Sequence, residues 1–270
     1  MNNYVTEVEK ALNLYYDSHL YRGPVYEQFH LEMGRRRGVR ERRFASAVTK
    51  AHVKAIMDDR TIEFTTRVAS LTAFFGLLRA HDYTTEEEYI FDPETTLLRE
   101  DITVYHDKRI FSAAIRWSKG DKHGLGQRQF WAASGIDGDP YCPYANMMEY
   151  LEWFDGEGFD PAGPLFVLED GRYLTRLEVS KAIKLHAEEF GVDENTIATH
   201  GFRYGGAFEL RENGADWSEI AHVGRWSPAS IPRLTVHYAQ WSVSRQRAVT
   251  DKLCLLRTAD AVMLQTRRPL

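Results

Sequence analysis

Between residues 102 and 133 the apolar residues of this chain change their period, and that switch limits the fold more than any other feature. Upstream, Phe64, Val68, Leu71, Phe75 and Leu78 recur at three and four spacing, which predicts a buried amphipathic helix over 62–78 with Arg79 at its C-terminal edge. ITVYH, RIFSAAIRW and LGQRQFWAA then alternate with period two, separated by HDK and by the turn-rich SKGDKHG. A three-stranded antiparallel meander follows from that pattern. Helical spacing returns over Leu177 to Phe190, His200 to Glu212 and Ser218 to Val223, and Asp216 with Glu219 three residues on has the form of a capping box. Residues 1 to about 33 also read as helical, from Val5, Val8, Ala11, Leu12 and Tyr15, with an interruption at Gly23-Pro24. The Gly/Pro/Asp-rich stretch 134–164 reads as a connection. No internal repeat or low-complexity segment is found, and the fold class expected is α+β, mainly helical with one small sheet.

A chain of 270 residues with 43% hydrophobic side chains can bury a substantial core as one large domain or two small ones. The longest nearly apolar run, VASLTAFFGLL at 68–78, is too short to cross a bilayer, and MNNYVTEVEK does not resemble a secretory signal, so an intracellular protein with no membrane partner is expected. Cys142 and Cys254 stand alone without a CxxC or Cys/His cluster, which predicts neither a disulfide framework nor a zinc site. A net charge of −5 argues at first against a nucleic-acid partner. The charges are segregated, however. Arg35, Arg36, Arg37, Arg40, Arg42, Arg43, Lys50 and Lys54 meet only Glu41, a local +7, whereas the nine acids from Asp82 to Asp107 face only Arg99. Such asymmetry suggests one side turned to a polyanion and one solvated acidic side, and the basic run with Gly34 and Gly38 reads as a linker.

Within ATHGFRYGGAFELRENGAD, His200 and Arg203 lie three apart, so a helix would aim both at one spot, where an anion is the obvious guest. A plainer reading makes this a helix start capped by Thr199 with two surface side chains. The surrounding motifs tip the balance. GLLRAHD at 76–82, SKGDKHG at 118–124, HGFR at 200–203, GRW at 224–226 and VHY at 236–238 follow one another in the order in which tyrosine recombinases, the phage-integrase family, carry their active-site residues. The chain resembles that family over about residues 45–245, and GRWS is similar to wording in members carried by mobile elements.

The resemblance implies a mainly helical catalytic domain with a small three-stranded antiparallel sheet at 46–270, preceded at 1–45 by a helical segment and basic linker, a partial core-binding region. It implies cleavage and rejoining of DNA through a covalent 3′-phosphotyrosyl intermediate, in site-specific recombination or mobile-element integration. Tyr238 would be the nucleophile, Arg79 and Arg203 the phosphate clamps, His200 and Trp226 further donors, Lys119 the general acid and Asp82 the residue that orients the cluster. Those residue types suit the reaction. A phenol with a free pKa of about 10 needs help losing its proton, guanidinium forks grip phosphate oxygens bidentately, and a lysine can protonate the departing 5′ oxygen. Neither metal nor cofactor is implied, because the phosphotyrosyl ester conserves the energy of the broken bond.

Three positions depart from the family pattern. The histidine usual after the glycine is replaced by Arg225, so either Arg225 or Trp226 can take the transition-state position, with Trp226 the better fit. Lys122 competes with Lys119, and both Lys122 and Arg225 are candidates for contact with DNA. The segment SPASIPRLTVHY is longer than usual. Beyond the tyrosine, Val249, Leu253, Leu256, Ala259, Val262 and Met263 form an apolar stripe that would pack on its own domain or on a neighbouring protomer. The implied partners are double-stranded DNA and further copies of the chain, a dimer on each site and a tetramer in synapsis. The place of action would be wherever the DNA is, the nucleus of a eukaryote or the cytoplasm of a prokaryotic or viral host. A recombinase-derived DNA-binding protein without cleavage, or a type IB topoisomerase-like enzyme, are the alternatives.

Overall fold

Helix α2 (Phe64–Phe75) is surrounded by other elements, and the computed structural model, which describes residues 46–117 and 126–226, is organised around it. The chain divides into two units, Met1–Phe44 and Ala45–Leu270, and all described residues belong to the second. Every residue of α2 from Thr65 to Phe74 is buried. A helix buried on all sides must satisfy its polar side chains internally. Thr65 Oγ1 donates to the Val167 carbonyl (2.7 Å), Ser70 and Thr72 donate back to the carbonyls of Thr66 and Val68, and Arg67 donates to the carbonyls of Ile62 and Met57.

Around α2 lie α1 (Lys50–Asp58), the short α3 (Ala80–Tyr83), α4 (Pro143–Glu157), α5 (Arg176–Leu185) and α6 (His200–Glu212), and α7 (Trp217–Val223) packs on α6. Strands β1 (Ile102–Tyr105), β2 (Ile110–Ile115) and β3 (Gln127–Ala132) form the expected antiparallel meander in the order β1-β2-β3. The expected α+β class is therefore observed. Phe111 pairs with Trp131 across β2 and β3, and their rings stack at 4.8 Å on the buried face.

Several boundaries differ from the sequence expectation. Helix α2 ends at Phe75, not near Leu78, because β3 stops it: Trp131 Nε1 donates to the Thr72 carbonyl (3.0 Å), the carbonyl that also accepts the Gly76 N–H. A Cβ at Gly76 would lie 2.3 Å from the Trp131 ring, so only glycine fits there, and the chain turns sharply through Leu77 at φ 47°. Arg79 thus starts α3 rather than ending α2. The 134–164 stretch contains the fifteen-residue helix α4. Its glycines, prolines and acids sit at the ends and on the outer face, hiding the buried row Tyr144, Met147, Tyr150, Leu151 and Phe154, while Pro143 occupies the first turn and Gly158 closes the helix at φ 75°. Lys50 and Lys54, placed in a linker by their charge, are exposed residues of α1, whose other face buries His52, Val53, Ile56 and Met57. Helix α5 stops at Leu185 and is followed by a short 3-10 turn at Glu188–Phe190. Helix α6 has the expected bounds, but Thr199 makes no side-chain cap. The Asp216 and Glu219 capping box at α7 is present. Among the described residues no helix is long and apolar enough to cross a membrane.

The glycines of α6 answer to close packing. A Cβ on Gly205 would sit 1.8 Å from the Val48 carbonyl oxygen, and one on Gly206 would sit 2.3 Å from Leu77 and 2.6 Å from the Phe74 carbonyl. Helix α6 therefore lies directly against the 46–48 segment and the end of α2, and the backbone bond Val48 N–H to Gly201 carbonyl (3.0 Å) seals the contact. Gly205→Ala is expected to lower Tm by about 6–12 °C, since backbone on one side cannot yield to the methyl. Gly156→Ala in α4, where a Cβ meets nothing within 4 Å, is expected to raise Tm by about 1–3 °C. Calorimetry on the two variants measures the contrast; equal shifts would contradict the packing described.

Candidate active site

The turn after α2, the first turn of α6 and the end of α7 meet at one corner, and arginines hold them together. Arg203 is 1% exposed, one turn into α6. Its Nη1 donates to the Leu77 carbonyl and its Nη2 to the Gly224 carbonyl, so one planar fork clips the turn before Arg79 to the turn before Arg225. Its guanidinium also lies 4.0 Å over the Trp226 ring. Trp226 comes this close because residue 224 is glycine: a Cβ there would fall 1.9 Å from the indole.

Asp82 is the second connector. Its side chain has no exposure, and its Oδ2 accepts both the Arg79 backbone N–H (2.7 Å) and Arg225 Nη2. The first bond is the N3-to-N-cap half of a capping box, which explains why an acid three residues after Arg79 fixes the start of α3. The second requires Arg225 to turn inward. It adopts φ 54°, outside the usual range for a side chain of its kind, and its guanidinium is wholly buried. Arg79 itself is partly exposed.

Of the sequence-predicted residues, the structure brings together Arg79, Asp82, Arg203, Arg225 and Trp226. His200 is exposed at the first residue of α6, one turn above Arg203. Lys50 and Lys54 are on α1, the latter with Nζ 4.8 Å over the Tyr141 ring. Arg35, Arg36, Arg37, Arg40, Arg42, Arg43, Lys119, Lys122, Tyr238 and the apolar stripe at 249–263 lie outside the described residues. Two tyrosines close to the corner in sequence are buried: Tyr83 (2% exposed), whose pKa burial and then Asp82 push far upward, and Tyr204 (5% exposed). Neither is placed to act as a nucleophile. Among the described residues no cluster of metal-ligating side chains is found.

The sequence reading missed His81, although it stands between Arg79 and Asp82 in the quoted GLLRAHD. Its Nε2 faces Asp82 Oδ1 at 3.4 Å, and its ring meets Trp117 edge-on at 5.6 Å. Trp131 and Gly76, which create the turn, were also unassigned; the tight contact between them is a tertiary fact with no local signature.

No family model matches the chain, and no curated protein matches it by sequence. Solved structures do match its fold. The XerA recombinase superposes with a TM-score of 0.54 at 16% identity, over 77% of this chain and 64% of that one. The XerH site-specific recombinase, bound to palindromic difH substrate in a post-cleavage complex, gives 0.53 at 14% identity over 77% and 53% of the two chains. Its pre-cleavage complex gives 0.50 at 13% identity over 76% and 53%. Over the matched part the chain shares the fold of these recombinases, and it spans about half the length of XerH and less than two thirds of XerA.

A buried ion pair makes a sharp stability prediction. Asp82→Ala leaves the Arg225 guanidinium buried without its counter-charge and is expected to cost about 3–5 kcal/mol, whereas Asp82→Leu combined with Arg225→Met is expected to lie within about 1–2 kcal/mol of the parent. Urea unfolding compares them. Additive losses in the double variant would mean that the two residues do not depend on each other.

Proposed function

We propose that this chain cuts and rejoins DNA strands through a tyrosine-linked intermediate, as a recombinase or integrase. The observation that supports it most is the meeting of Arg79, Asp82, Arg203, Arg225 and Trp226, drawn from three distant stretches of sequence, at one corner of a fold shared with XerA and XerH. An arginine cluster held in place before substrate arrives is what stabilisation of a phosphoryl transition state demands. The domain division, with 1–45 as a partial DNA-clamping segment and 46–270 as the catalytic domain, belongs to the same proposal.

In this reading the Tyr238 phenol gives up its proton to solvent and its oxygen attacks a phosphodiester phosphorus, while the 5′ oxygen leaves, taking a proton from Lys119 or Lys122. One phosphate ester is exchanged for another, so the reverse attack by a 5′ hydroxyl reseals the strand without an external energy source. Arg79, the partly exposed arginine, faces the phosphate. Arg203 contributes to charge and, through its two carbonyl bonds, to the shape of the corner itself. Trp226, stacked on Arg203, takes the transition-state position, while Arg225 is committed to Asp82. His200 adds a donor from the rim of α6. Lys50, Lys54 and the 35–43 arginines contact the DNA backbone, two protomers bind each site, and the 249–263 stripe joins neighbours in a tetrameric synapse. Site-specific recombination or mobile-element integration, and a location at DNA, belong to the same proposal.

The test starts from a pool of nicked duplexes of random sequence, in which a short fragment 3′ of the scissile position diffuses away and traps the adduct. Denaturing gels should show covalent protein–DNA complexes with the parent, in EDTA as well as without it, and none with Tyr238→Phe. Arg79→Ala should slow adduct formation by about two orders of magnitude or more, and Arg203→Ala, which also removes the two carbonyl bonds, should lose both rate and Tm. Binding without any adduct would favour a DNA-binding protein that no longer cleaves. Relaxation of supercoiled DNA without exchange between sites would favour the topoisomerase-like alternative. Adducts mapped to another tyrosine would overturn the assignment of Tyr238.

A further inference from the structure

His81 has a position that the proposed reaction leaves without a task. It lies on α3 between Arg79 and Asp82, and although its side chain is 40% exposed its Nε2 is buried, 3.4 Å from Asp82 Oδ1. Among the described residues neither of these two atoms has another hydrogen-bond partner. The other carboxylate oxygen is fully committed to the Arg79 amide and to Arg225. A buried carboxylate oxygen with nothing to accept is costly, and the imidazole N–H is the donor within reach. From the side of the sheet, Trp117, just past the end of β2, packs edge-on against the ring at 61°.

We propose that His81 is a positioning residue of this corner: as a neutral imidazole carrying its proton on Nε2 it donates to Asp82 Oδ1, and so keeps the carboxylate in the rotation that gives Oδ2 to the Arg79 amide and Arg225. The groups that face the ring are Asp82 and Arg79 from its own turn, Arg203 from α6 and Arg225 from the segment after α7. Burial lowers the His81 pKa most; Asp82 opposes that, and Arg79, Arg225 and Arg203 add to it, so the ring is neutral near pH 7. Protonation at Nδ1 would leave the Nε2–H facing Oδ1 but set a fourth positive charge beside three guanidiniums, which it would repel. The corner is thus in its working arrangement above the histidine's depressed pKa and loses it as pH falls through that value.

The rate arm of the test rests on the strand-cleavage reading; the spectroscopic arm does not. On the DNA that the parent captures from the random nicked pool, His81→Phe keeps the ring against Trp117 but loses the donor, and His81→Gln carries an amide N–H near the position of Nε2. His81→Phe should bind this DNA within about twofold of the parent yet cleave it about tenfold or more slowly in single turnover, the loss of one hydrogen bond to a charged group. His81→Gln should recover to within about threefold and should lack the parent's fall in rate on the acid side. Equal cleavage by His81→Phe and the parent, or equal loss in both variants, overturns the proposal. Long-range ¹H–¹⁵N spectra of the full chain should show the Nε2–H tautomer titrating below the ordinary 6.5, and Arg79→Gln should raise that value by removing a positive neighbour. A Nδ1–H tautomer, or titration at or above 6.5, overturns it as well. If the parent forms no adduct at all, the cleavage reading fails while these spectra still decide the role of His81.

Discussion

A carboxylate cut off from water is the constraint on which the rest of the corner depends. Asp82 has no exposed side-chain surface, so its charge must be met by neighbours held at fixed positions. It receives a backbone amide from its own turn and a guanidinium from the segment after α7, and its second oxygen faces His81. Each partner restricts a different piece of chain: the amide sets the start of α3 and with it the direction of Arg79, and the guanidinium pulls Arg225 into a left-handed backbone conformation. Once Arg225 points inward, Trp226 comes to lie over Arg203. The Asp82 pair and the Arg203 fork therefore bind the same neighbourhood twice, from the side chain of Asp82 on α3 and from Arg203 on α6.

This double attachment needs backbones that come very close together, and the glycines supply the room. Gly76 makes way for Trp131, Gly224 for Trp226, and Gly205 and Gly206 for the Val48 carbonyl and the end of α2. The small sheet has a comparable role. It is too small to form a core of its own, but the stacked Phe111 and Trp131 rings press it on α2, and the indole N–H of Trp131 takes the carbonyl that ends that helix. A β-hairpin thus determines where a helix stops, and where the helix stops determines where Arg79 stands.

Much of the fold was legible in the sequence because its signals are local. Period-two alternation between Ile102 and Ala132 marked the meander, the spacing of Phe64, Val68 and Leu71 marked the central helix, and Asp216 with Glu219 marked the start of α7. Helix α4 was missed because proline, glycine and acids dominate its composition while its buried row of Met147, Tyr150 and Phe154 is diluted among them. Helix α1 was missed because charge drew Lys50 and Lys54 into the basic run upstream, when Val53, Ile56 and Met57 behind them had helical spacing.

For the site, the sequence determined which residue types are present and in what order, since GLLRAHD, HGFR and GRW can be found without coordinates. It also fixed that Asp82 follows Arg79 by the three residues a capping interaction needs. Only the tertiary structure decided what each arginine does. Arg203 and Arg225 are alike in charge and both are buried, but one joins two carbonyls and the other joins Asp82. It also decided that His81, inconspicuous in the motif, faces the one carboxylate oxygen the arginine and the amide leave over. The reason is physical: whether a side chain reaches a given carbonyl or carboxylate, as Arg203 reaches Leu77 and Arg225 reaches Asp82 across more than a hundred positions, depends on distance and direction in space, and a pattern of neighbours along a chain carries neither.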